Sequence, residues 1–479
     1  MPNFTKSIVK AITENKLAYS LGAVAATYSF VTFVRLGPQS SFIRRLFDLN
    51  EVFPITAHCE PGYENVREVF QQNLQEGLEL GSSFCAYVDG KCVVEIYGGY
   101  HDKERTKQYD TSSLQLVFSS GKTIMSVLVA HLVDKGLIDL NKSVADYWPE
   151  FAQNGKKKVL VKELLAHRGG VGWLDTPYQI TSDDLEDLDV TAKKIAQQPH
   201  NYDGRPIHDY HALTRDWYVN ELVRRVTGKS AGQIWREDIN PKLGTEIYVG
   251  LPQELYPRVA MLQPYPALRT LVRLLLPSWL HGQPFPKALH QIIRRRGKGL
   301  FGLNFRIPGL SSSVVDPSKA ANNYKFMKGE GPSYATVTNA KSMAKLGAAM
   351  LNGSLDGFDL ISISETYNKV YEEMDLQEDM SMGIKMPFTA CGFNVVKDTS
   401  VPDPDMDECE RVGQYRADGE RWHGWGGLGG SMIYWNVNQN ISIGYAESQL
   451  GLVLVGETRS VRLCDAVYKC ATALKSKAN

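Results

Sequence analysis

Ser119 and Lys122 stand three residues apart in "LQLVFSSGKTIMSVLVAHLVDKG", where a short apolar run gives way to a long apolar helical pattern. If the helix starts at Ser119, Lys122 lies one turn on and on the same face. The serine hydroxyl then sits at the positive end of the helix dipole. A lysine amine enclosed by apolar groups loses proton affinity and can take the serine proton, so the pair can form an activated nucleophile. Gly121 lets other backbone approach closely. The plainer alternative is a serine that caps the helix and a lysine on its surface. The spacing alone does not decide, because Ser-x-x-Lys also occurs at Ser7/Lys10 and Ser342/Lys345.

Two further segments carry chemistry. In "HDYHALTRDWYVNELVRRVTG" Tyr210 precedes a helical pattern. Such a phenol is either a core aromatic or a proton carrier between serine and leaving group, provided Lys122 holds its pKa down. "RWHGWGGLGGSMIYW" has five glycines in seven residues before a strand pattern. That is either a glycine-rich turn or bare backbone that lets a ligand lie close and frees N–H groups for an oxyanion.

The elements that must position these residues are legible in outline. Val66, Val69, Phe70 and Leu74 have helical spacing, and "GSSFCAYVDGKCVVEIYGGY" reads as two strands around an Asp89-Gly90 hairpin. Ile124, Val127, Leu128, Leu132 and Val133 repeat at helical spacing until Gly136. "VKELLAHRGG" and "TRDWYVNELVRRVTG" read as helices, "GGSMIYWNVNQNISIGYAES" as two strands around Asn438-Gln439, and "SVRLCDAVYKCATALKSK" as a terminal helix. Strands at both ends and helices between predict an α+β fold. The expected form is a mostly antiparallel sheet flanked by helices, with an inserted helical lobe within about 120–425 and a ligand cleft between the two.

The chain has 479 residues, 43% hydrophobic and 22% charged, with equal numbers of acidic and basic side chains. Nothing in that balance or in the motifs points to nucleic acid. Seven cysteines include no C-x-x-C pair, so no zinc site is implied. Cys85 and Cys92 can face each other across the hairpin as thiols or as a disulfide. Leu17–Val34 carries no charge over 18 residues and has basic residues on both sides. It predicts a single-pass membrane anchor in residues 1–40, with a cleaved signal or transit peptide and a buried helix as the rivals. A connector (41–60) and a catalytic domain (61–479) follow. Residues 265–300 are basic and apolar, and fit either a membrane surface or a helical flap over the cleft.

Taken together, the segments resemble the serine β-lactamase, penicillin-binding carboxypeptidase and esterase superfamily, and within it the class C-like, beta-lactamase-related proteins. The resemblance runs from about Tyr63 to Ala473. "VFSSGKTIMSVLVAHLVDKGLIDLNKSVADYWPEF" resembles the nucleophile helix, "VKELLAHRGGV" the next helix, "DYHALTRDW" the tyrosine motif and "WGGLGGS" the motif on the strand lining the cleft. It implies Ser119 as acylated nucleophile, Lys122 as its base and Tyr210 as an aid to proton transfer. It also implies an oxyanion hole from the Ser119 and Leu428 N–H groups, with Trp425, Gly426 and Gly427 against the substrate. No metal or organic cofactor is implied. Two positions depart from the family pattern: Ala212 stands where Asn is frequent, and Trp425 where Lys or His is frequent. Without a cation at 425 the resemblance implies an esterase-like acyl-enzyme hydrolase of esters, amides or peptides, lipid esters included, rather than a true β-lactamase. The alternatives are an inactive scaffold of the same fold and a carboxypeptidase or transpeptidase. His423 and Arg421 alternate with Trp425 and would share its face of the strand.

Overall fold

A computed structural model describes residues 52–265, 317–363, 365–382, 385–396, 421–451 and 458–478, with Gly22 and Val24 besides. The chain divides into two compact units. The smaller comprises Met1–Val52, Gln75–Leu78 and Tyr265–Phe285 and lies largely outside the described residues. The larger holds every element discussed below.

The strands that matter here are β1 (Ile55–Cys59), β2 (Gly81–Val88), β3 (Lys91–Gly99), β4 (Gln115–Leu116), β5 (Val337–Thr338), β6 (Asn394–Val396), β7 (Trp422–Gly426), β8 (Met432–Asn436) and β9 (Ile441–Glu447). The helices that matter here are α1 (Glu64–Gln75), α2 (Ser120–Asp134), α3 (Val161–Leu165), α4 (Leu188–Gln197), α5 (Arg215–Thr227), α6 (Pro332–Ala335), α7 (Ala340–Asn352) and α8 (Thr458–Ala478). Seven strands form one antiparallel sheet in the order β1-β3-β2-β9-β8-β7-β6, and β4 pairs with β5. The α+β architecture expected from the sequence is the one observed.

Alternation along the strands explains why the sheet is covered on both faces. Ile441, Ile443 and Tyr445 of β9 join the core that α1 and α8 make with Val66, Phe70, Leu74, Leu463 and Val467. Ser442 and Gly444 point the other way, where the Ser442 hydroxyl donates to the Ala344 carbonyl of α7 at 2.7 Å. Trp435 of β8 faces the helical lobe, fully buried, and its indole N–H donates to the Tyr371 hydroxyl at 2.7 Å. The β2–β3 hairpin turns at Asp89 and Gly90 with φ of 50° and 76°, the doubly left-handed turn that the Asp-Gly pair favours. The thiols of Cys85 and Cys92 share a hydrogen bond at 3.8 Å and form no disulfide.

α2 runs through the centre of the lobe, and most of its surface is buried, Lys122 included. It ends where expected, with Gly136 at φ 70° just beyond. β1 falls in the segment read as a connector. Its central residues are exposed, so no apolar alternation marked it.

The membrane-anchor expectation is corrected. Among the described residues no helix is long and apolar enough to cross a membrane. Of Leu17–Val34 only Gly22 and Val24 are described. An 18-residue run extends about 27 Å as a helix, at the short end of the range that spans a hydrocarbon core of about 30 Å. Residues 266–300 of the basic apolar segment, and Ser7/Lys10, lie outside the described residues.

Trp435 fastens the sheet to the lobe. Trp435→Ala should destabilise the protein by about 3–5 kcal/mol, and Trp435→Phe, which loses only the indole hydrogen bond, by about 1 kcal/mol beyond any repacking. Denaturant midpoints of the two variants should separate in that order.

Candidate active site

The site begins with a backbone constraint. Phe118 holds φ at 45°, in the left-handed region that a bulky residue rarely enters. This turn swings the chain from β4 into α2. Ser119 follows as the residue before the helix, and its side chain makes no capping bond. The hydroxyl is thus left for other partners. The Tyr210 hydroxyl donates to Ser119 Oγ at 2.8 Å, and Lys122 Nζ lies 3.2 Å from the same oxygen. Ser119 is half-buried and open to a ligand.

Among the described residues, no counter-charge is in direct contact with Lys122. Its amine also donates to the carbonyls of Ala212 at 2.7 Å and Ser333 at 3.2 Å, and sits 4.9 Å from the centre of the Tyr210 ring. Burial drives its pKa down to about 7, against a smaller upward pull from Asp216; Arg215 adds to the lowering. Tyr210 moves the other way. Burial pushes its phenol up to about 12, opposed by the hydrogen bonds with Ser119 and Trp425. The sequence expectation that Lys122 holds the tyrosine's pKa down is therefore not met: Tyr210 is a neutral phenol, and Lys122 is the group that titrates near neutrality.

The glycine-rich turn after β7 packs on the start of α2. Ser431 Oγ donates to the Val117 carbonyl at 2.8 Å and lies 3.1 Å from Ser120 Oγ. A Cβ on Gly427 would stand 2.2 Å from that same carbonyl, so only glycine allows the approach. Gly121 is under a similar limit, with the Pro332 carbonyl 2.1 Å from where its Cβ would be. Among the described residues, the backbone N–H groups of Ser119 and Leu428 donate to no acceptor.

The second described Ser-x-x-Lys pair has other work. Ser342 Oγ accepts the Glu246 N–H at 2.8 Å, and Lys345 pairs with Asp356 at 2.6 Å.

A family model described as "Beta-lactamase" matches residues 66–460. The chain belongs to the beta-lactamase family. It is 28% identical over 286 residues to the esterase/beta-lactamase LipL of Mycobacterium tuberculosis, an alignment covering 59% of this chain and 61% of LipL, so about three fifths of that relative is spanned. Among solved structures, it resembles a family VIII carboxylesterase (28% identity, TM-score 0.68, covering 87% of this chain and 100% of the other). It also resembles a penicillin-binding protein homologue from Caulobacter crescentus (27% identity, TM-score 0.66, again 87% and 100%).

In this beta-lactamase-family chain the two departures acquire a physical meaning. Ala212 holds Lys122 through its carbonyl, which needs no side chain. Trp425 is more than an apolar wall, because its indole N–H donates to the Tyr210 hydroxyl at 3.2 Å. Trp425 and Tyr210 join Ala166, Ala212, Met382, Met386 and Phe388 in one apolar cluster beside the serine. Arg421 lies just before β7, outside the strand, and pairs with Glu373 at 2.7 Å while 58% exposed, so it does not share the buried setting of His423 and Trp425. His423 packs edge-on to Tyr371, and burial pushes its pKa down to about 4, so it is neutral there.

Sequence reasoning missed the support of Tyr210. His167, at φ 61°, accepts the His211 N–H through Nδ1 at 3.0 Å and stacks on the Tyr210 ring at 4.8 Å. Its carbonyl takes the Asp209 N–H at 2.9 Å. Burial pushes the His167 pKa well down, so it works as a neutral prop. It also missed Arg215, Asp216 and Ser333, which lie behind Lys122. Two adjacent charges at a helix start were the only trace.

Gly427→Ala should destabilise the fold by about 1–3 kcal/mol through overpacking against Val117. It should also displace the Leu428 amide, which an amide NMR shift would detect.

Proposed function

We propose that this protein is a serine hydrolase that cleaves uncharged carboxylic esters through an acyl-enzyme on Ser119. The observation that carries the reading is the pair of contacts on Ser119 Oγ, from a phenol that stays protonated and an amine that titrates near pH 7. A protonated Lys122 has three N–H bonds and three acceptors. A neutral one keeps its two carbonyl bonds and turns its lone pair to the serine proton.

Ser119 Oγ passes its proton to neutral Lys122 and attacks the ester carbonyl carbon. The carbonyl oxygen becomes an oxyanion facing the N–H groups of Ser119 and Leu428. Collapse breaks the bond to the leaving alcohol, which departs with the proton returned from Lys122, while Tyr210 stays a neutral phenol. Water then gives a proton to Lys122 and its oxygen to the acyl carbon; the bond from that carbon to Ser119 Oγ breaks, Ser119 Oγ takes the proton back from Lys122, and a carboxylic acid is released.

Substrate class follows from the surroundings. A substrate carboxylate beside Trp425 would lose its hydration and meet an indole, with Arg421 already paired to Glu373. That costs several kcal/mol. A neutral acyl group meets methionine, phenylalanine and tryptophan instead. The solved relative is described as a carboxylesterase, which supports this choice, while LipL is described as both esterase and beta-lactamase and favours neither class.

A fluorophosphonate probe should label Ser119, and Ser119→Ala should abolish labelling. Silence of the folded wild type would favour a scaffold without turnover. p-Nitrophenyl esters should be turned over faster than nitrocefin, and Trp425→Lys should narrow the difference. A wild type that prefers nitrocefin would sink the ester assignment. Neutral Lys122 is the active form, so kcat/KM should rise with pH through about 7 and level off above it.

A further inference from the structure

Behind Lys122 lies a buried ion pair that the acyl transfer does not itself use. Arg215 and Asp216 are adjacent at the start of α5, both fully enclosed, with Arg215 Nη1 3.5 Å from Asp216 Oδ1. Each reaches Lys122 by its own route. Asp216 Oδ2 accepts the Ser333 hydroxyl at 2.8 Å, and the carbonyl of the same Ser333 accepts from Lys122 Nζ at 3.2 Å. Arg215 Nη1 donates to the main-chain carbonyl of Lys122 at 3.2 Å, and Nη2 to the Ser126 hydroxyl one turn along α2. A buried ion pair is a poor source of stability compared with apolar residues of the same volume. Its place here, gripping one lysine from two sides, points to another use.

We infer that Asp216 is a positioning residue for Lys122: its carboxylate fixes, through the Ser333 hydroxyl, the carbonyl on which the amine rests, while Arg215 fixes the backbone of the same lysine. The two charges also act on the amine in opposite senses. Asp216 favours the protonated form, and Arg215 disfavours it. The other titratable groups packed around the amine carry no charge near neutrality. Tyr210 and Tyr334 are held protonated by burial, and His167 is held neutral. Among the described residues, Asp216 is thus the one acidic partner in the balance that sets when Lys122 becomes a base. The inference rests on Lys122 being that base.

Asp216→Asn keeps the shape and removes the charge. Burial and Arg215 then act unopposed, so the acid limb of kcat/KM for a p-nitrophenyl ester should move to lower pH by about one unit, with KM unchanged. Ser333→Ala keeps the charge and cuts the link, so kcat should fall about tenfold through misplacement, with KM and the limb in place. An NMR titration of the Lys122 side chain should show the same downward shift in Asp216→Asn without any turnover. That reading separates this inference from the proposed function: loss of Ser119 labelling in the wild type would overturn the function, and an unmoved Lys122 titration would overturn the role of Asp216. If Asp216→Asn fails to fold in a thermal melt, Ser333→Ala decides alone, and a wild-type kcat there overturns the inference.

Discussion

One amine kept dry governs the rest of this structure. Lys122 sits inside the lobe with carbonyls as its nearest acceptors, and its pKa falls from 10.5 to about 7. A shift of that size corresponds to roughly 5 kcal/mol of unfavourable charging at neutral pH and below. Between about pH 7 and the lysine's unfolded value, the unfolded chain binds one more proton at this residue than the folded chain. Stability contributed here therefore rises with pH across that window. The surrounding core must be large enough to bear this, and α2 is buried nearly all round.

Several local oddities follow from the same requirement. The serine must face the amine without being consumed as a helix cap, and the left-handed turn at Phe118 achieves that. Backbone must close over the helix start to exclude water, and glycines at 121 and 427 leave room for it. The tyrosine that shares the serine must stay protonated, and the indole of Trp425 and the prop of His167 hold it in an apolar corner.

How much of this could be read from the sequence depends on how local each signal was. Ser119 and Lys122 are one helical turn apart, and the apolar spacing from Ile124 to Val133 announced the helix that carries them. The Asp-Gly hairpin and the α+β layout came from equally short-range patterns. Arg215, Asp216 and Ser333 stayed hidden because the bonds that tie them to Lys122 and to each other through Ser333 span 93 or more residues, and adjacent charges at a helix start ordinarily face water. Trp425 was read as a wall because a sequence carries no indole orientation. The anchor expectation failed for a related reason: a charge-free run at the short end of the spanning range was read by its composition alone.

The strand order has a consequence for how the molecule comes into being. β2 pairs along one edge with β3, its neighbour in synthesis, and along the other with β9, the last strand among the described residues, with Ser82 level with Glu447. Ser119 and Lys122 therefore leave the ribosome long before the strand that brings Trp425 to Tyr210. Contacts of such sequence separation are slow to form, and until then α2 has its apolar surface uncovered and its lysine hydrated. The nascent chain would pass through a stage in which the nucleophile helix exists and its surroundings do not, and it is at this stage that binding by a chaperone would matter most.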